Sequence, residues 1–238
     1  VLNMVAEVCD QFLDTVSPSV RRELESRMRI VRAKRGRTLA VAGTRSTDVF
    51  LVLEGEAQVL LYSRSGREVS VRQIGVGGIF GELAALDGEA RSATVIALTE
   101  LRLLQISGKD FLRCLESSPA SVLWLARRLV TEVRRLTERV FELSALNVQA
   151  RLHCELLRMA KGGPDHPAPL IIEPAPTHAE LANRIGAHRE AVTREMRSLV
   201  EHNVIRARRR SLEFLDVPRL EHFVGQAVGV FAEPFDSP

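Results

Sequence analysis

The sequence predicts an α+β fold: an antiparallel β-roll, then one long helix, then a unit of short helices closed by a hairpin. Three observations carry this reading. Turn signals recur at Arg35-Gly36, Ala42-Gly43, Glu54-Gly55, Ser65-Gly66, Val76-Gly77-Gly78 and Asp87-Gly88, mostly ten to twelve residues apart. Short apolar runs lie between them, which is the rhythm of a sandwich, roll or barrel. From Ser118 to Leu146 there is no glycine, and the one proline, Pro119, stands where a helix's first turn tolerates it. Finally, two short helical patterns flank Gly186 and are followed by β-prone runs around the basic stretch RARRRS.

Composition bounds what such a chain can do. Its 238 residues, 45% hydrophobic and 26% charged, suit one large soluble domain or two small ones. No apolar run reaches the ~18 residues of a membrane span, and the first residues, VLNMVAEVCDQF, carry acid rather than a basic leader. A cytoplasmic protein with no membrane partner is expected. Cys9, Cys114 and Cys154 are far apart and form no CxxC pair, so they read as buried small hydrophobes rather than metal ligands or a disulfide frame. Of the 33 basic residues 30 are arginine, whose fork suits phosphate and guanine; a GC-rich coding bias explains the excess equally well. There is no GxSxG, HExxH or Walker-type loop, and the six histidines do not cluster with acids, so neither catalysis nor a metal is expected.

Taken in order, Pro18 to Arg29 reads as a short helix. Residues 30 to 107 then supply the strands DVFLVL, EAQVLLYS, EVSVRQI and TVIALTELRLLQIS. On the long helix, Val122, Ala126, Leu129, Val133, Leu136, Val140 and Leu143 are spaced by alternating steps of four and three, a heptad seam. Leu123, Trp124, Leu125 and Val130 give its first half a second apolar side. One side can pack on the roll while the seam pairs with a second copy, so a parallel homodimer is expected. VQARLHCELLRMAK follows as an amphipathic helix. Residues 162–176 are a Pro/Gly-rich connection holding a short strand, LII, and residues 216–238 offer at most a short helix. The boundaries drawn are 1–118 for the roll with its N-terminal helix, 119–147 for the long helix and 148–238 for the last unit.

Two motifs carry chemistry. In the last unit Thr177 and Glu180 form a T-x-x-E capping box. Ala182, Ile185, Gly186 and Val192 fall where a helix-turn-helix needs a small residue, an apolar residue, a left-handed turn and a core contact. The second helix begins near His188 and presents Arg189, Glu190, Thr193 and Arg194. Residues there can reach base edges in a major groove, with arginine reading guanine and glutamate reading cytosine. Arg208 and Arg209 at the hairpin tip suit phosphates, so double-stranded DNA is the expected partner.

The second motif is FGELAALDGEARSA, residues 80–93. Bare backbone near Gly81, the Ser92 hydroxyl and the Arg91 guanidinium suit a phosphate. Glu82 would repel that phosphate, so it must face a donor such as a sugar hydroxyl; a ribose closed by a cyclic phosphate offers both. On residue types alone, an ordinary Glu82–Arg91 surface ion pair is equally compatible.

F-G-E-L-x(8)-R-S-A in a glycine-punctuated roll resembles the phosphate-binding cassette of cyclic-nucleotide-binding domains. The order of roll, long helix and helix-turn-helix with R-E-x-x-x-R resembles the catabolite activator (cyclic AMP receptor protein) family of bacterial transcription regulators, over residues 10–215. The resemblance implies a cyclic-nucleotide-binding roll of jelly-roll type, a dimerisation helix and a winged helix-turn-helix. It also implies that Gly81 and Leu83 offer backbone N–H groups, Glu82 takes the ribose 2′-hydroxyl, and Arg91 and Ser92 hold the cyclic phosphate. Residues around Phe50 to Leu61 would line the base. Arg189, Glu190 and Arg194 would read a TGTGA-like half-site, with RNA polymerase as a further partner. There are three departures. The interval from Glu82 to Arg91 is one residue shorter than in the best-known bacterial member. The adenine-contacting hydroxyl pair aligns with Leu136 and Thr137, of which only Thr137 keeps one, so cyclic AMP is favoured and cyclic GMP stays open. Glu195 replaces a commonly apolar residue, leaving that contact to Met196. A roll that is ligand-free or takes another effector is the alternative reading.

Overall fold

The structure is a computed structural model that describes residues 12–64, 68–161 and 171–228. It divides into two compact units, Val1–Val133 and Arg134–Pro238. In the first unit α1 (Pro18–Glu25) precedes β1 (Arg29–Ala33), β2 (Thr38–Ala40), β3 (Val49–Glu54), β4 (Ala57–Tyr62), β5 (Glu68–Ile74) and β6 (Ile79–Phe80). Then come α2 (Glu82–Asp87), β7 (Thr94–Ala97), β8 (Leu101–Ile106), α3 (Gly108–Ser117) and the long α4 (Pro119–Ala145), whose first half belongs to this unit. The strands form two antiparallel four-stranded sheets, ordered β1-β8-β3-β6 and β2-β7-β4-β5. This is the predicted roll.

Strand β3 explains the two-sided packing. Successive strand side chains point to opposite faces, and in VFLVL both faces are buried. Val49, Leu51 and Leu53 join a core with Phe12, Leu24, Phe111 and Leu125, contributed by the helices. Phe50 and Val52 join the core between the sheets with Val59, Phe80, Val95 and Leu103. A strand covered on both sides loses polar alternation, which is why this run reads as continuously apolar.

Helix α1 is shorter than the predicted Pro18–Arg29. Arg27 N and Met28 N both bond to Leu24 O and close it, and Arg29 already pairs with Gln105 in β8. Sequence reading assigned no helix to 108–117, although Ser107 caps α3 by accepting from Asp110 N at 3.1 Å.

Along α4, Leu125 is buried in the roll's core and Trp124 and Leu129 pack against it. Leu123 and Val130, expected on that side, are instead 51% and 52% exposed. They flank the heptad positions, each one residue beyond a seam residue, so they widen the seam into a broad stripe. Val133 and Val140, at 62% and 63% exposed, lie in the same stripe with Val122, Leu136 and Leu143. Ser121 is fully buried and exchanges hydrogen bonds with Thr15.

The second unit holds α5 (Val148–Lys161), β9 (Ile171–Ile172), α6 (His178–Ile185), α7 (Arg189–Glu201), β10 (Ile205–Ala207), β11 (Leu212–Phe214) and α8 (Val217–Val228). The predicted strand in the Pro/Gly connection is present at Ile171–Ile172 and pairs with β11, giving a three-stranded wing ordered β10-β11-β9. The short helix anticipated after residue 216 is α8. Cys114 and Cys154 are buried free thiols, with burial raising both pKa values, Cys114 to about 12; Cys9 lies outside the described residues.

Gly186 ends α6 with φ +63°, a left-handed conformation that disfavours a side chain, and a Cβ there would lie 3.2 Å from Leu143 Cδ2. Gly186→Ala is expected to destabilise the protein by about 1–2 kcal/mol, read as a lower urea midpoint at unchanged slope. Unchanged stability would show that the turn tolerates a side chain.

Candidate functional site

The cassette is built where β6 runs into α2. Gly81 caps α2 at φ +89°, and a methyl there would lie 2.4 Å from both Arg91 Nη1 and Asp48 O. Only glycine satisfies both the conformation and the space. α2 ends at Gly88, again left-handed, so Asp87-Gly88 terminates a short helix rather than forming a bare turn. Glu82 is the first residue of that helix. Leu83, the second, exposes its side chain, and its backbone N–H belongs to the first turn, which has no intrahelical acceptor.

Arg91 and Glu82 do not pair with each other; each has other partners. Arg91 is buried and spends its guanidinium on oxygens: Nη1 donates to Gly81 O at 3.1 Å, and Nη2 to Asp48 O at 2.6 Å and Ser46 Oγ at 2.9 Å. Its Nε is buried without a partner. Burial lowers the Arg91 pKa, opposed by the charges of Asp48 and Glu82. Ser92, next to it, is exposed. Glu82 is buried, with Oε1 3.9 Å from Arg72 Nη2. Burial pushes its carboxyl above the usual range; a backbone hydrogen bond and Arg72 offset part of this, while Glu132 adds to it. Glu82 and Arg91 bracket one short helix–turn segment, and the Arg91 side chain folds back to Gly81, beside Glu82 at the start of α2.

Arg72 was missed by sequence reasoning. Its signal was a lone cation in the otherwise strand-like run EVSVRQI. Of the residues expected around a base, Phe50 stacks on Phe80 at 4.9 Å within the core, and Leu61 is exposed. Leu136 and Thr137 lie on the exposed side of α4.

In the second unit the capping box is complete: Thr177 Oγ1 accepts from Glu180 N at 3.2 Å, and Thr177 N donates to Glu180 Oε2 at 2.6 Å. Ala182, Ile185, Val192 and Met196 are buried in one core. His188 is the N-cap of α7 without a side-chain cap bond, and Arg189, Glu190 and Arg194 are exposed beyond it. Thr193 does not reach outward freely. Its hydroxyl donates to Arg189 O at 2.9 Å and lies 2.9 Å from His178 Nδ1, joining the two helices of the motif. Arg197, one turn past Arg194, is exposed and extends the same face; the helical period would have found it. Arg208 and Arg209 are exposed at the wing tip.

Glu195 faces the other way. Its Oε1 is 2.7 Å from His153 Nε2 and accepts from Gln149 Nε2 at 3.1 Å, so a carboxylate in an apolar slot is met by polar partners on α5. These groups border a cleft of about 430 Å³ between α5, α7 and α8. Among the described residues no cluster of His, Cys, Asp and Glu could hold a metal, and no helix is long and apolar enough to cross a membrane.

The cyclic nucleotide-binding domain family matches residues 30–118 and the Crp-like helix-turn-helix domain family matches residues 150–223. The chain is 28% identical over 171 residues to the cAMP-activated global transcriptional regulator CRP of Haemophilus influenzae, covering 71% of this chain and 76% of that protein. The chain belongs to the CRP family. Among solved structures, the CRP/FNR-family transcriptional regulator TTHA1359 of Thermus thermophilus shares the fold, with a TM-score of 0.70 at 23% identity, covering 84% of this chain and 100% of that one. The c-di-GMP responsive global regulator CLP of Xanthomonas campestris does so too, with a TM-score of 0.70 at 18% identity, covering 88% and 98%.

Because folding raises the Glu82 pKa, the folded chain keeps that proton to higher pH than the unfolded chain. Its contribution is most favourable below the ordinary value of 4.5 and is lost as pH rises through the raised folded value. Glu82→Gln is therefore expected to be more stable than the parent at neutral pH, with the difference closing as pH falls below 4.5. Urea titrations across this range check it; a difference independent of pH would contradict a strained Glu82 charge.

Proposed function

We propose that this protein is a homodimeric, cyclic-nucleotide-responsive transcription regulator. In this reading cyclic AMP is favoured over cyclic GMP, and a TGTGA-like palindrome is the DNA target. The observation that carries the effector reading is the cassette: a left-handed Gly81, a buried Glu82 and a buried Arg91 that are not spent on each other. A buried carboxylate whose neighbouring cation, Arg72, stands 3.9 Å away keeps acceptor capacity that a ribose hydroxyl can fill. Arg91 can exchange backbone oxygens for the stronger charge-assisted bonds of a phosphate, with Ser92 adding a hydroxyl. Arg189, Glu190 and Arg194 read bases, Thr177, Arg208 and Arg209 meet phosphates, and RNA polymerase is the further partner at the promoter.

The same fold occurs in a regulator responsive to c-di-GMP, so the test must include that ligand. Isothermal titration with cyclic AMP, cyclic GMP and c-di-GMP, followed by DNA-shift assays on a TGTGA palindrome, decides. The expected result is micromolar binding of a cyclic mononucleotide, about −8 kcal/mol, with a gain of DNA affinity, both lost in Arg91→Ala. DNA binding that ignores all three ligands would leave the helix-turn-helix and remove the receptor.

The homodimer rests on the α4 stripe, where the predicted seam stays exposed in a single chain except at Leu129, which packs on the roll instead. Val133→Glu places charge in its middle. Sedimentation is expected to give a dimer for the parent and a monomer for this variant. A parent that sediments as a monomer at micromolar concentration would overturn the pairing.

A further inference from the structure

The roll's attachment to α4 changes character along the helix. Near its start the contact is apolar, through Leu125 and Trp124. One turn on, Arg128 Nη2 donates to Gly77 O at 2.6 Å, with its guanidinium over the Trp124 ring. One further turn on the same face stands Glu132, whose Oε2 accepts from Arg72 Nη1 at 3.4 Å. The other nitrogen of that guanidinium, Nη2, donates to Ile79 O at 3.0 Å and stands 3.9 Å from Glu82 Oε1. One planar cation is thus shared between a carboxylate of the cassette and a carboxylate of the long helix.

We infer that Arg72 is a positioning residue that relays the state of Glu82 to α4 through Glu132. The inference rests on the proposed receptor role of the roll.

Local backbone geometry makes the relay specific. The pairing of β5 with β4 skips a residue: Val59 faces Arg72 and Leu60 faces Ser70, leaving Val71 as a bulge. Neighbouring side chains of a regular strand point to opposite faces, and a bulge re-aims them. Here Val71 stays against the inter-sheet core while Arg72, the next residue, reaches Ile79, Glu82 and Glu132. Both carboxylates and the guanidinium are largely shielded, so their attraction is screened less than that of a surface pair.

The two states differ in definite contacts, as coupling requires. Without a ligand hydroxyl on Glu82, Arg72 divides its charge between Glu82 and Glu132. A hydroxyl donating to Glu82 satisfies that carboxylate and releases Arg72 toward Glu132. The hold on α4 then strengthens at the point where its fastening to the roll gives way to the exposed stripe.

The test compares full-length wild type, Glu132→Gln and Glu132→Asp, by isothermal titration with cyclic AMP and cyclic GMP and by DNA-shift assays with and without each. Glu132→Gln is expected to bind nucleotide within about fivefold of wild type, the scale of one partly exposed ion pair. Its ligand-induced gain in DNA affinity, about 5–150-fold for coupling of ordinary size, should fall to none. Glu132→Asp keeps the charge and is expected to recover most of the gain. Full gain in Glu132→Gln overturns the relay, and so does outright loss of nucleotide binding, which would place Glu132 in the pocket. A wild type that binds neither nucleotide overturns the receptor reading and the relay with it, whereas a responsive wild type with a responsive Glu132→Gln overturns the relay alone.

Discussion

The division of the surface of α4 is the constraint on which the rest of this structure depends. The helix is 27 residues long and contributes to both compact units. One face is committed to the roll through Ser121, Leu125, Arg128 and Glu132. A second carries an exposed apolar stripe from Val122 to Leu143. Toward its end, Glu142 is buried between Arg139 and Arg158, and Arg158 continues to Glu155 and Arg184. This ionic chain ties the end of α4 to α5 and α6 within the second unit. Breaking such a buried pair leaves a charge uncompensated, which costs more than the pair itself contributes.

The cassette follows a related logic of unsatisfied charge. Glu82 and Arg91 are both desolvated, and a direct ion pair between them would have been the simplest neutralisation. The structure instead leaves them unpaired, placing Arg91 on backbone oxygens and a hydroxyl and Glu82 3.9 Å from Arg72. Strain of this kind persists only where the surroundings enforce it. The enforcing element is Gly81, whose left-handed conformation and lack of a Cβ let Arg91 and Asp48 O close over it.

Glu195 shows how a departure from a motif can be absorbed locally. Its position in the helix-turn-helix commonly holds an apolar residue, and Met196 does take over the core contact. The carboxylate is then accommodated by His153 and Gln149 on a different helix. The exposed face of α7 that carries Arg189, Glu190 and Arg194 is untouched, because that face and the Glu195 side lie on different sides of the helix.

Much of this was legible in the chain itself. Glycine punctuation marked the strands, the four–three apolar spacing marked α4, and Thr177, Glu180 and Gly186 marked the helix-turn-helix. All of these are local rules: backbone conformation, capping and periodicity act over a few residues, so a sequence determines them directly. Tertiary structure alone decided which apolar residues of α4 met the roll, because Leu123 and Leu125 are equally apolar and differ only in direction. It also decided that Glu82 would not pair with Arg91, and that Arg72, ten residues upstream in a bulged strand, would reach both Glu82 and Glu132. Those outcomes depend on distances between segments far apart in the chain, and composition and spacing do not encode such distances.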